Sequence, residues 1–122
     1  AISPYVLRAI GARQATRYFQ TAERIDAHHA CKIGLVHETV EPEQLDARVQ
    51  EIVSALLQGS PLAQAAAKDL IRAVDGQPVN DTLVEETARR IAHLRATPEA
   101  REGIAAFLEK RNPDWVSALG GG

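Results

Sequence analysis

At 122 residues, with 45% hydrophobic and 25% charged side chains, the chain has an ordinary globular composition, which excludes disorder as its default state and allows one modest domain or part of a larger one. Its 14 Lys and Arg against 16 Asp and Glu leave a net charge of −2, which gives no reason to expect nucleic acid as a partner. No apolar run approaches the length of a bilayer span, so no membrane partner is expected, and the lone Cys31 excludes a disulfide framework and makes a reducing cytoplasm the expected compartment.

Ser3-Pro4 reads as a cap followed by proline at the first helical position, where the fixed φ suits a helix and the missing amide is no loss. A short helix over 5–10 follows and ends at Gly11; a second covers 13–19, with Ala15, Tyr18 and Phe19 on one face. Asp26 caps another short helix over 27–32, which Gly34 stops. Residues 35–40 alternate roughly and are partly β-branched, so they form the one strand candidate, too short for a sheet by itself: its partner lies outside the sequence, or it merely leans on the helices.

Glu41-Pro42 opens the next helix, whose apolar stripe is Leu45, Val49, Ile52, Val53, Leu56 and Leu57, and Gly59 ends it. Ser60-Pro61 starts another, carrying Leu62, Ala65, Ala66, Leu70, Ile71 and Val74 as far as Asp75-Gly76. Asn80 or Asp81 opens a longer one with Leu83, Val84, Thr87, Ala88, Ile91 and Leu94. Thr97-Pro98-Glu99 starts the last main helix, Asn112-Pro113 ends it, and Trp115, Val116 and Leu119 are placed to pack back as a final turn. The pattern is helix after helix on short connections. Its wide, Ala-rich stripes favour close helix approach and leave apolar faces for partner subunits.

In the last main helix Ile104, Phe107 and Leu108 fall on one face. Phe107 and Lys110 are three apart, a spacing that points an aromatic ring and an ammonium the same way on a helix and suits a nucleotide-like ligand, the ring stacking on a base and the cation meeting a phosphate. The plain alternative is that Phe107 packs and Lys110 complements the helix dipole. Elsewhere no set of chemically suited residues converges. His28 and His29 are neighbours and point about 100° apart on a helix, unlike the i, i+4 pair of a zinc helix. His37, Cys31, Lys68 and Glu85-Glu86 read as surface or packing residues, and no phosphate loop, nucleophile elbow or metal motif is present.

Three stretches carry a resemblance. Ile2-Ser3-Pro4-Tyr5-Val6 with Ile10-Gly11, then Thr21-Ala22-Glu23-Arg24-Ile25-Asp26-Ala27 with Gly34-Leu35-Val36-His37, and finally Arg101-Glu102-Gly103-Ile104 with Ala106-Phe107-Leu108-Glu109-Lys110-Arg111 follow in the order and spacing of the enoyl-CoA hydratase/isomerase, or crotonase, family. Ala22 and His29 stand where that family usually has Gly and Glu. The chain thus resembles the C-terminal half of the family, and its Ile-Ser-Pro-Tyr form is similar to that of methylglutaconyl-CoA and related carboxylated enoyl-CoA hydratases.

The resemblance implies a subunit with an N-terminal ββα-spiral core and a C-terminal helical region that builds trimers, often stacked as hexamers. The expected fold is mostly α, the trimerisation region of that spiral fold, with at most one short strand near 35–40. Residues 1–40 would close the spiral core, 41–119 would be the oligomerisation helices and 120–122 a flexible tail. The implied ligand is an acyl-CoA thioester, with coenzyme A arriving as part of the substrate and no metal or redox cofactor. The implied reaction is that of a lyase adding water across the 2,3 double bond in fatty-acid or branched-chain acid breakdown.

In the family, Phe107 and Lys110 fall at positions that approach the adenine and phosphates of a CoA held by a neighbouring subunit, and Ser3, Pro4 and Tyr5 lie near the acyl pocket. The oxyanion-hole segments and both catalytic glutamates fall before Ala1, so no catalytic residue is expected in this chain, which would be inactive alone. A sequence that begins at Ala1, contains no Met and holds an orphan strand fits a piece of a longer subunit. The alternatives are a family isomerase or hydrolase, or a stand-alone helical assembly or binding module.

Overall fold

The structure, a computed structural model, describes residues 1–118. The expected contribution of Leu119 and the expected flexible tail at 120–122 lie outside the described residues. The chain forms two compact units, Ala1–Arg48 and the chain from Val49 on.

In the first unit, α1 (Ser3–Thr21) is broken at Gly11, whose φ of 75° and ψ of 161° no helix accommodates, so the two expected short helices are present on either side of it. Ile2, not Ser3, stands at the N-terminal boundary, and no side chain caps it. Ala22 closes α1 in the left-handed region (φ 52°), its amide reaching the Tyr18 carbonyl. Asp26 caps α2 (Ala27–Lys32) as expected, its carboxylate accepting from the His29 amide at 2.7 Å. Ile10, Ala15 and Ala30 form this unit's buried core.

Residues 35–40 are not a strand, and no strand occurs among the described residues. Their β-branched alternation has no ladder partner among the described residues, and an isolated strand leaves its backbone unpaired, so the segment runs as irregular chain. The helical run does start at Glu41-Pro42, without a side-chain cap: Pro42–Gln44 makes a single 3-10 turn that leads into α3 (Leu45–Gln58).

In the second unit, the end of α3 is followed by α4 (Pro61–Val74), α5 (Asp81–Arg95), α6 (Pro98–Glu109) and α7 (Asp114–Ser117). The starts of α4, α5 and α6 are written in local chemistry: the side chains of Ser60, Asn80 and Thr97 accept from the amides of Ala63, Leu83 and Ala100. α4 lies against α5, and α5 against α6. Glu99, in the first turn of α6, accepts from the Leu62 amide (2.8 Å) and the Ser60 hydroxyl, so one carboxylate also caps α4 and ties the two helix starts together. Trp115 packs back as expected. Its Nε1 donates to the Gln58 carbonyl (3.1 Å), and its ring lies so close to Gly103 that a Cβ there would meet Cη2 at 3.0 Å.

Candidate functional site

The candidate site is the end of α6. Its last carbonyls are closed by two backbone bonds, from the Lys110 amide to the Phe107 carbonyl (3.3 Å) and from the Arg111 amide to the Ala106 carbonyl (3.0 Å). That is a Schellman closure, with Lys110 in the left-handed position at φ 55°. The end of α2 shows the same pair of bonds, Gly34 to Cys31 (3.1 Å) and Leu35 to Ala30 (2.9 Å), with a glycine at φ 80° in that position. The chain therefore uses one backbone device twice, once with the residue that adopts it freely and once with a lysine.

A charge network surrounds the second turn. Arg111 donates to both carboxylate oxygens of Glu102 (2.5 and 2.9 Å), through Nε to Glu109 (2.6 Å), and to the Asn112 carbonyl (3.2 Å). Glu102 also accepts from the Asp114 amide (3.1 Å), so it joins α6, the turn and the start of α7. The Arg111 guanidinium, helped by that amide, holds the Glu102 carboxyl at about 2, far below its ordinary 4.5. Reciprocally, Glu102 and then Glu109 raise Arg111 further above its already high value.

The residues singled out in the sequence stand out from this scaffold. Phe107 is 81% exposed, and Ile104 (51%) and Leu108 (73%) share its exposure. The packing alternative for this stripe fails within this chain: the face of α6 that packs is Ala106, at 1% exposure, with Gly103 under Trp115. Lys110 is exposed beyond the last helical turn, so the three-residue spacing does not set its direction. The left-handed turn does. Ser3, Pro4 and Tyr5 lie at the start of α1 in the other unit, all exposed, Tyr5 at 75%.

Other polar residues find local roles. His29 is not a free surface histidine: its Nε2 lies 2.5 Å from the Tyr18 hydroxyl, the rings meeting edge to face. Glu38, beside His37, is held by Arg48 at 2.7 and 3.1 Å, which lowers its carboxyl below the ordinary range. Cys31 turns its half-buried Sγ toward the His37 carbonyl at 3.4 Å. Glu86 pairs with Arg89 (2.6 Å) and Arg90 (2.8 Å) on its own helix, while Glu85 is exposed, so the two carboxylates make no acid–base pair. Among the described residues, no three His, Cys, Asp or Glu side chains converge to hold a metal ion. The roles of Glu99, and of Glu102 with Arg111, are not apparent from sequence. The Glu-Gly and Glu-Lys-Arg motif letters mark these positions without saying what they touch.

The family model described as enoyl-CoA hydratase/isomerase matches residues 1–118. Similar curated proteins include a crotonyl-CoA hydratase of Syntrophomonas wolfei, 33% identical over 90% of this chain and 42% of its own length. A carnitinyl-CoA dehydratase of Salmonella arizonae is 37% identical over 78% of this chain and 38% of its own. Among solved structures, an enoyl-CoA hydratase from Shewanella pealeana superposes with a TM-score of 0.87 at 41% identity, covering 93% of this chain and 42% of that one. The chain thus spans about two-fifths of the length of these relatives. It belongs to the enoyl-CoA hydratase/isomerase (crotonase) family, and its helices form the C-terminal helical region of that fold.

Proposed function

We propose that this chain is the C-terminal helical part of an enoyl-CoA hydratase, in which Phe107 and Lys110 contact the adenine and phosphates of the CoA thioester. The observation that carries this is the end of α6: a large aromatic ring left 81% exposed and, three residues on, a lysine in a position that glycine fits better. A side chain kept in an unfavourable backbone conformation points to a use for that side chain. The hydratase reaction is favoured by relatives named crotonyl-CoA hydratase and 2,3-dehydroadipyl-CoA hydratase.

In this reading the water-activating carboxylates come from outside the chain, which has no activity alone. The complete assembly is a cytoplasmic trimer or stacked hexamer and needs no metal or redox cofactor. Ser3, Pro4 and Tyr5 border the acyl pocket.

The test is steady-state kinetics on the complete subunit. Lys110→Ala is expected to raise KM for an enoyl-CoA about fivefold, the loss of about 1 kcal/mol from a partly exposed charge-assisted contact. An unchanged KM, both for the CoA ester and for one lacking the 3′-phosphate, overturns the assignment. An isomerase is the second reading, favoured by a trans-2-decenoyl-[acyl-carrier-protein] isomerase of Streptococcus mutans that is 31% identical over 89% of this chain. Hydration removes the conjugated double bond and isomerisation moves it, so product analysis separates the two.

A further inference from the structure

The left-handed region is occupied by two residues other than glycine among the described ones, Ala22 and Lys110. Each turn is braced by a two-pronged Arg–Glu pair. Arg17 reaches across Ala22 to both oxygens of Glu23 (2.7 and 3.0 Å), and Arg111, next to Lys110, reaches both oxygens of Glu102 (2.5 and 2.9 Å). The second brace is the more elaborate. Arg111 also grips Glu109 on the near side of Lys110 and the Asn112 carbonyl beyond it, and Glu102 anchors the Asp114 amide. Lys110 thus stands in sequence between Glu109 and Arg111, whose side chains are bonded to each other across the turn from which it leaves.

We propose that Arg111, clamped by Glu102 and Glu109, is a positioning residue that fixes the direction in which Lys110 leaves the turn toward the nucleotide part of the CoA. This rests on the assignment of Lys110 to the CoA site. A lysine ammonium on four rotatable bonds binds a phosphate better when its root is immobile, because less freedom is lost on contact. The bidentate Arg–carboxylate fork supplies that immobility, and lysine in place of Arg111 cannot reproduce it. Neither Glu102 nor Arg111 needs to touch the ligand.

The experiment uses the complete subunit and two substrates, a short enoyl-CoA and the same acyl group on pantetheine, which lacks the nucleotide. Arg111→Lys and Glu102→Gln are each expected to raise KM for the CoA ester about threefold with kcat within about twofold of wild type, and neither adds to the effect of Lys110→Ala, as coupled residues behave. The pantetheine thioester is turned over equally by all variants. Arg72→Ala, which breaks only the exposed pair with Asp69, is the control that leaves KM alone.

If Arg111→Lys and Glu102→Gln leave KM unchanged while Lys110→Ala raises it, the positioning role is overturned and the CoA assignment stands. Equal losses with both substrates mean general damage to the fold and also overturn the positioning role. An unchanged KM in Lys110→Ala removes the assignment and this inference with it. Should Glu102→Gln not fold, the milder Arg111→Lys decides alone.

Discussion

Lys110 sits where backbone preference and side-chain chemistry ask for different residues. A non-glycine residue in the left-handed region costs about 1 kcal/mol, and glycine there removes the cost. Lys110→Gly is therefore expected to raise the thermal midpoint of the complete subunit, a gain of about 0.5–1 kcal/mol, while weakening CoA-ester binding. Calorimetry beside KM measurements checks both, and a lowered midpoint counts against the strain. Glu102 supplies a pH signature of the same turn. Its carboxyl is depressed from 4.5 to about 2, so its stabilising effect is complete above about pH 4.5 and is lost as pH falls toward 2. The stability difference between wild type and Glu102→Gln, from urea midpoints, is expected to be flat above pH 5 and to shrink between pH 4.5 and 2. A difference that stays constant down to pH 2 sinks the pairing.

Helices were the most legible level of this chain, because their signals are local. The caps Asp26, Ser60, Asn80 and Thr97 act within three residues of themselves, and the helix boundaries at Gly11, Gly34 and Gly59 follow from single residues. One misreading has a plain cause: residues 35–40 look like a strand only while a partner is assumed. The stripe of Ile104, Phe107 and Leu108 reads as core or interface, and among the described residues nothing covers it. What one chain does not contain, periodicity cannot reveal.

Contacts between elements were also hidden. Glu99 reads as a first-turn acid complementing its own helix dipole, yet it spans 37 residues to cap α4 at Leu62. Glu99→Ala leaves the Leu62 amide without that acceptor and frees the Ser60 hydroxyl. It is expected to cost about 1–2 kcal/mol in chemical denaturation, the range of a lost helix cap, where substituting a remote surface acid changes stability by less than about 0.5 kcal/mol. A loss no larger than that of the exposed Glu85→Ala shows that the junction contributes nothing.

For the whole molecule, area carries the argument. Two compact bodies of these sizes, counted apart, expose about 7,700 Å² by the usual scaling. The chain exposes 10034 Å². The surplus of about 2,300 Å² is of the size that stable subunit contacts bury, and the exposed surface includes Val49, Ile52, Leu56, Ile71, Val84, Ile91 and Leu108, which are too many apolar side chains for a monomer's surface. If copies of this chain cover one another, it is expected to self-associate at micromolar concentration in sedimentation velocity. Ile71 makes the test specific. It is 67% exposed, so Ile71→Glu changes little in one chain by itself but places a charge without a partner in any contact that buries it. The variant is expected to move toward monomer with unchanged helix content by circular dichroism. A wild-type chain that sediments as a monomer removes the self-association, and an assembly indifferent to Ile71→Glu assigns this stripe of α4 to some other cover.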